Sequence, residues 1–161
     1  MNIEIICTGK LKEKYWVDAC AEYSKRLGRF CKLTITELAE CRLPDKAGPA
    51  EEQQVIETES KAVLKRLESL GQSYVIALDV KGKMLGSEQL AEKIADITLA
   101  GKSRIVLIIG GSLGLSKELL SKADFRLSFS PMTFPHQMMR VILLEQIYRA
   151  YKINSNESYH K

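Results

Sequence analysis

No stretch of this 161-residue sequence reaches the roughly 18 consecutive apolar residues that a membrane-spanning helix needs. The opening Met1-Asn2-Ile3-Glu4-Ile5-Ile6 has no basic segment leading into an apolar one, so no secretion signal is expected and the chain is read as cytoplasmic. Cysteine is limited to Cys7, Cys20, Cys31 and Cys41, and histidine to His136 and His160, with no C-x-x-C pair. Zinc sites draw on converging, closely spaced ligands, so no metal is expected and the thiols read as reduced and partly buried. The G-x-G-x-x-G fingerprint is missing, which weighs against nicotinamide or flavin binding. So is G-x-x-x-x-G-K-[ST], which weighs against phosphoryl transfer. With no repeat, low-complexity tract or linker, residues 1–161 read as one domain.

Hydrophobic residues make up 45% of the chain and charged residues 27%, ordinary usage for a folded protein. The net charge of +4 is modest but uneven. Lys10, Lys12, Lys14, Lys25, Arg26, Arg29 and Lys32 stand in the first 32 residues against four acids. Such a patch attracts phosphates and steers RNA, and it also reads as a solvated helix face.

Periodicity gives strands at 2–7, 32–38, 73–80, 104–109 and 125–129. Helices alternate with them at 13–27, 50–69, 88–99, 116–122 and 135–152. Gly28 and Gly71 fall where helices end, Glu51 and Glu52 where one begins, and Ser87 where a cap is wanted. Residues 81–83 read as a turn closing the third strand. Arg-Ile-Val-Leu-Ile-Ile at 104–109 is nearly all apolar and reads as a central strand buried on both faces. Repeated β-α units mean an α/β fold, a parallel sheet with helices on both faces. On periodicity alone its order is expected to be flavodoxin-like. The last helix is apolar around most of its circumference, which calls for burial on more than one side. A homodimer or deep burial within one chain meets that need.

Ligands of open parallel sheets bind beyond the carboxyl ends of strands. Three segments there hold the candidate chemistry: Leu78 to Lys83, Ile109 to Leu115 with Gly110, Gly111 and Gly114, and Leu127 to His136. The second also spells G-x-S-x-G at Gly110, Ser112 and Gly114, between a strand and a helix. A serine hydrolase with Asp124 and His136 as partners is therefore an alternative. An RNA-binding or assembly protein without a cofactor is another.

The runs Gly9 to Trp16, Glu22 to Leu27, Gly82 to Leu85, Ile109 to Ser112, Leu127 to Ser130, Glu145 to Ala150 and Tyr159-His160-Lys161 match one family. Above all, Met132-Thr133-Phe134-Pro135-His136-Gln137-Met138-Met139-Arg140 does so. The sequence resembles, over essentially its whole length, the SPOUT-class rRNA large-subunit methyltransferase H (RlmH) family. That resemblance implies a SPOUT fold with a C-terminal trefoil knot and a homodimer. It implies S-adenosyl-L-methionine (SAM) as cofactor, held by Leu78, Gly110, Phe129, Ser130, Pro131, Met132, Thr133 and Phe134. It also implies 23S rRNA within the ribosome as partner, with N3 of a pseudouridine in helix 69 as target. Deprotonating an imide nitrogen needs a proton route and nearby positive charge. His136, Arg140, Tyr159 and His160 are the residues expected to serve it. The C-terminal Tyr159-His160-Lys161 is expected to be ordered and to complete the pocket.

Overall fold

A computed structural model of the chain describes residues 1–159; the His160 expectation lies outside them. Strand β1 (Asn2–Thr8) is followed by α1 (Lys14–Leu27), β2 (Lys32–Leu38), α2 (Pro49–Leu70) and β3 (Tyr74–Met84). Then come α3 (Ser87–Leu99), β4 (Arg104–Ile109), α4 (Lys117–Lys122), β5 (Phe125–Ser128) and α5 (His136–Asn154). The strands form one parallel sheet in the order β2-β1-β4-β3-β5. This corrects the flavodoxin-like order, in which the third and fourth strands are exchanged.

Alternation along the strands divides the core in two. Ile3, Ile5, Cys7, Ile105, Leu107 and Ile109 face α1, α3 and α5, where they meet Ile94, Leu143 and Ile147. Ile6, Val106 and Ile108 face α2 and α4, meeting Val63 and Leu119. β4 is buried at every position from Ile105 to Ile109, as its composition requires. Buried Glu4 on the second face is held by Thr36 at 2.7 Å and Arg66 at 2.8 Å. All four thiols are free, and burial raises Cys7 to about 12.

The glycine and acid signals at helix ends mostly hold. Gly71 closes α2 at φ +66, and the Glu51 carboxylate accepts the Gly48 N–H at 2.8 Å. Gly28 caps α1 in a right-handed conformation, so no left-handed residue is needed there. Ser87 is not a cap: Gly86 precedes the helix and Ser87 Oγ donates to Gln146 on α5. β3 does not stop at the 81–83 turn either. It bulges between Leu78 and Lys83, then pairs again with β5 through Lys83–Leu127 and Met84–Ser128. Gly82 permits this, because a Cβ there would lie 2.6 Å from the Arg126 carbonyl oxygen.

Helix α5 lies between α1 and α3 on the sheet. Its Met139, Leu143, Leu144, Ile147 and Ala150 are buried within one chain, while Val141, Ile142, Tyr148 and Tyr151 are half-buried. Much of its apolar circumference is thus covered without a second copy.

Candidate functional site

Parallel strands present all their carboxyl ends at one edge of the sheet, and three of those ends build the site. After β4 the chain turns at Gly110-Gly111. Gly114 adopts φ +83, disfavoured for residues with a Cβ, and its N–H donates to the Gly111 carbonyl at 3.1 Å. A Cβ on Gly110 would lie 2.9 Å from Leu115 Cδ2 and 3.0 Å from the Gly114 carbonyl. The turn is anchored from below: Ser116 N–H donates to Ser60 Oγ on α2 at 2.9 Å, while Ser116 Oγ caps α4 by accepting from Leu119 N–H at 3.1 Å.

The ends of β3 and β5 are stitched together. Ser128 Oγ lies 3.1 Å from the Val80 carbonyl, to which it donates, and Ser130 Oγ accepts the Met132 N–H at 3.0 Å. Asp79 accepts from Lys81 N–H at 3.1 Å and Arg126 Nε at 2.8 Å, so its charge is paired. Pro135, with φ −56, then leads into α5 at His136.

Between these loops lies a cleft of about 270 Å³, just below the roughly 300–1,000 Å³ usual for small-molecule sites. Leu78, Gly110, Phe129, Ser130, Met132, Thr133, Phe134 and His136 line it. Pro131 does not; it is exposed beside the cleft. Residues unnamed by the site expectation also line it, including Ile109, Ser112, Leu113, Leu127 and Met139. The glycine spacing marked 109–115, and Met139 stands one helical turn after His136. Apolar walls from Leu78, Leu127, Phe129 and Met139 beside the Ser130 and Thr133 hydroxyls suit a ligand with a flat ring and a sugar.

Two other expected residues lie elsewhere. Arg140 is 1% exposed and does not line the cleft. Its guanidinium donates to Glu37 Oε1 and to the Gly9 carbonyl, both at 2.5 Å, which ties the ends of β1 and β2 to the first turn of α5. Tyr159 folds back along α5, its hydroxyl 3.3 Å from Glu145 Oε1 and its ring beneath Arg149 and against Tyr148. Glu145 is nine residues beyond His136, about 13 Å along the helix axis, so Tyr159 stands away from the cleft.

The hydrolase alternative fails on geometry. Asp124 precedes β5 and accepts the Val75 N–H at 2.7 Å near the start of β3, at the end of the sheet opposite Ser112. Ser112 also has no positive φ, unlike a strained nucleophile turn.

The family model described as "Predicted SPOUT methyltransferase" matches residues 1–160. The chain belongs to the SPOUT methyltransferase family. It is 60% identical to the ribosomal RNA large subunit methyltransferase H of Clostridium novyi (strain NT) and 58% identical to that of Bifidobacterium adolescentis. In both cases the whole of both chains is covered. A solved structure of a probable methylase family protein from Haemophilus influenzae Rd KW20 shares the fold, with TM-score 0.55 and 17% identity. That match covers 99% of this chain and 70% of that one.

In this SPOUT chain one buried carboxyl supports the glycine turn from behind. Glu59 on α2 accepts the Cys41 N–H at 2.8 Å, and its other oxygen would lie 2.7 Å from a Cβ on Gly111. Burial pushes Glu59 above its ordinary value; the Cys41 N–H opposes this and nearby Glu40 adds to it. A carboxyl raised on folding binds its proton more tightly in the folded state. It therefore destabilises the fold once pH rises past the ordinary carboxylate range, and not below it. Glu59→Gln is expected to melt above wild type at pH 7, the gap closing towards about pH 4. A gap independent of pH would contradict this origin.

Proposed function

We propose that this SPOUT methyltransferase transfers the methyl group of SAM to N3 of a pseudouridine in helix 69 of 23S rRNA, in the assembled ribosome. It does so as a cytoplasmic homodimer of one domain, residues 1–161. The observation that carries the reading is the convergence of the β3 bulge and the loops after β4 and β5 on one cleft lined by apolar side chains and hydroxyls. It stands in a chain with full-length relatives named rRNA large subunit methyltransferases.

SAM, when bound, supplies an electrophilic methyl group on a positively charged sulfur. Leu78, Gly110, Phe129, Ser130, Met132, Thr133 and Phe134 would hold it, with Pro131 shaping the loop from outside. Backbone groups of the Gly110 turn and the 129–134 loop approach closely because no Cβ intervenes at Gly110. His136 stands at the cleft, and a Cβ on Gly9 would lie 3.5 Å from its Nε2. We assign it the acceptance or relay of the imide proton. Arg140 acts as a positioning residue, holding the β1 and β2 ends under the helix turn that bears His136.

Tyr159 and His160 belong to the proton route in a partner's cleft, since Tyr159 lies along α5 away from its own. Half-buried Val141 and Ile142 on α5 support such a pairing of copies. The trefoil knot is part of the same proposal; the match of the SPOUT family model over residues 1–160 supports it. Among the described residues no group of three His, Cys, Asp or Glu side chains could hold a metal. No helix among them is long and apolar enough to cross a membrane.

Mass spectrometry of rRNA from cells lacking the protein tests the reading: one methyl group at a helix 69 pseudouridine should disappear. An unchanged helix 69 would refute the target. Deleting 159–161 should abolish transfer while sparing SAM binding, and full methylation by that variant would end the role of the tail.

A further inference from the structure

Residues 9–17 carry features that the cofactor cleft does not use. Tyr15 is 61% exposed and Val17 is exposed beside it, both in the first turn of α1. The Tyr15 ring is braced edge-on by Trp16, centroids 4.9 Å apart, so it is held rather than loose. Lys10, Lys12 and Lys14 are all exposed around it. Lys14 pairs with Asp18 at 2.6 Å, but neither Lys10 nor Lys12 has an ion-pair partner among the described residues.

The position of this segment is fixed relative to the cleft. Lys12 N–H donates to Gln137 Oε1 at 3.0 Å, and Leu11 N–H donates to Glu37 Oε1 at 3.1 Å. Gly9 packs beside His136. The loop therefore runs across the start of α5, next to the residue at the cleft mouth, and delivers Tyr15 in the first turn of α1.

We infer that Tyr15, with Lys10 and Lys12, forms a landing platform for an unpaired nucleotide flanking the methylated one. The Tyr15 ring stacks on its base and the two lysines neutralise adjacent phosphates. The inference rests on the RNA methyltransferase reading and extends it to a surface outside the cofactor cleft. A stacking ring inside a cationic patch is the combination by which proteins hold single-stranded RNA without reading its sequence. A second copy of the chain fits this patch less well. A two-fold contact would set the lysines of both copies at one interface, where like charges repel.

The test measures steady-state methylation and equilibrium binding of intact ribosomes from a strain lacking the protein. SAM affinity by calorimetry, thermal melting and sedimentation are followed in parallel. Tyr15→Ala is expected to raise KM for ribosomes about 10- to 100-fold, with SAM affinity, melting and oligomeric state unchanged. Tyr15→Trp should restore KM and Tyr15→Leu should not. Lys10→Ala with Lys12→Ala should weaken binding and lower the salt dependence by about 0.7 per lost phosphate contact. An unchanged KM in Tyr15→Ala, rescue by Leu as good as by Trp, or a change in oligomeric state would overturn the platform. A wild-type protein that binds ribosomes in a Tyr15-dependent way yet transfers no methyl group would instead overturn the enzymatic reading and leave the platform standing.

Discussion

Gly110→Ala is expected to lower kcat/KM for methyl transfer by at least about 100-fold, the scale of loss that follows a displacement of roughly 1 Å in a positioned site. The added methyl would meet Leu115 Cδ2 at 2.9 Å and the Gly114 carbonyl carbon and oxygen at 3.0 Å. The leucine end can swing aside, but the Gly114 backbone is fixed by its hydrogen bond to Gly111 and by the Ser116 anchor to α2. The turn must therefore open, and it forms one wall of the cleft. SAM affinity should fall with transfer. Gly48→Ala is the control, because a Cβ there meets nothing within 4 Å, and it should leave transfer intact. Wild-type SAM affinity in Gly110→Ala would show that this turn does not hold the cofactor.

Arg140→Met should destabilise the fold by about 3 kcal/mol, the lower end for removing one partner of a buried ion pair, since Glu37 keeps some contact with water. For a chain of this size that corresponds to a fall in Tm of about 6–12 °C. Methionine nearly matches the arginine stem in length, so the loss isolates the guanidinium and its bonds to Glu37 and the Gly9 carbonyl. Arg140→Lys should recover little, because one ammonium cannot reproduce the fork that spans both acceptors. A residue that touched RNA or cofactor would behave in the opposite way, losing transfer while melting like wild type. Thermal melts beside single-turnover rates separate the two.

Arg140 also shows where the sequence was opaque. The family resemblance and the need for positive charge near the imide marked it as a group serving the nucleotide, whereas its charge is held within the fold. Its partner Glu37 lies 103 positions away in the chain, and no local pattern joins them. The exchange of β3 and β4 was hidden for a related reason. Both orders bury Arg-Ile-Val-Leu-Ile-Ile in the interior, so composition cannot choose between them. The continuation of β3 past Gly82 depends on β5, with which Lys83 and Met84 pair; read locally, Lys81-Gly82-Lys83 is only a turn.

Short-range physics was legible. β4 was recognisable from its unbroken apolar run, α2 from its acidic first turn and Gly71, and the cleft from glycine-bearing segments after strand ends. Those segments come together because parallel strands leave no other edge for their carboxyl ends. The placement of Tyr159 along α5 was not readable, since nothing near the chain end states which helix face receives it.

A crystal structure of the protein grown with saturating SAM is the decisive measurement. The adenine and ribose should lie between the Gly110 turn and residues 129–134, with the methyl group directed towards the His136 side of the cleft. SAM bound at any other surface, with this cleft empty, would contradict the assignment.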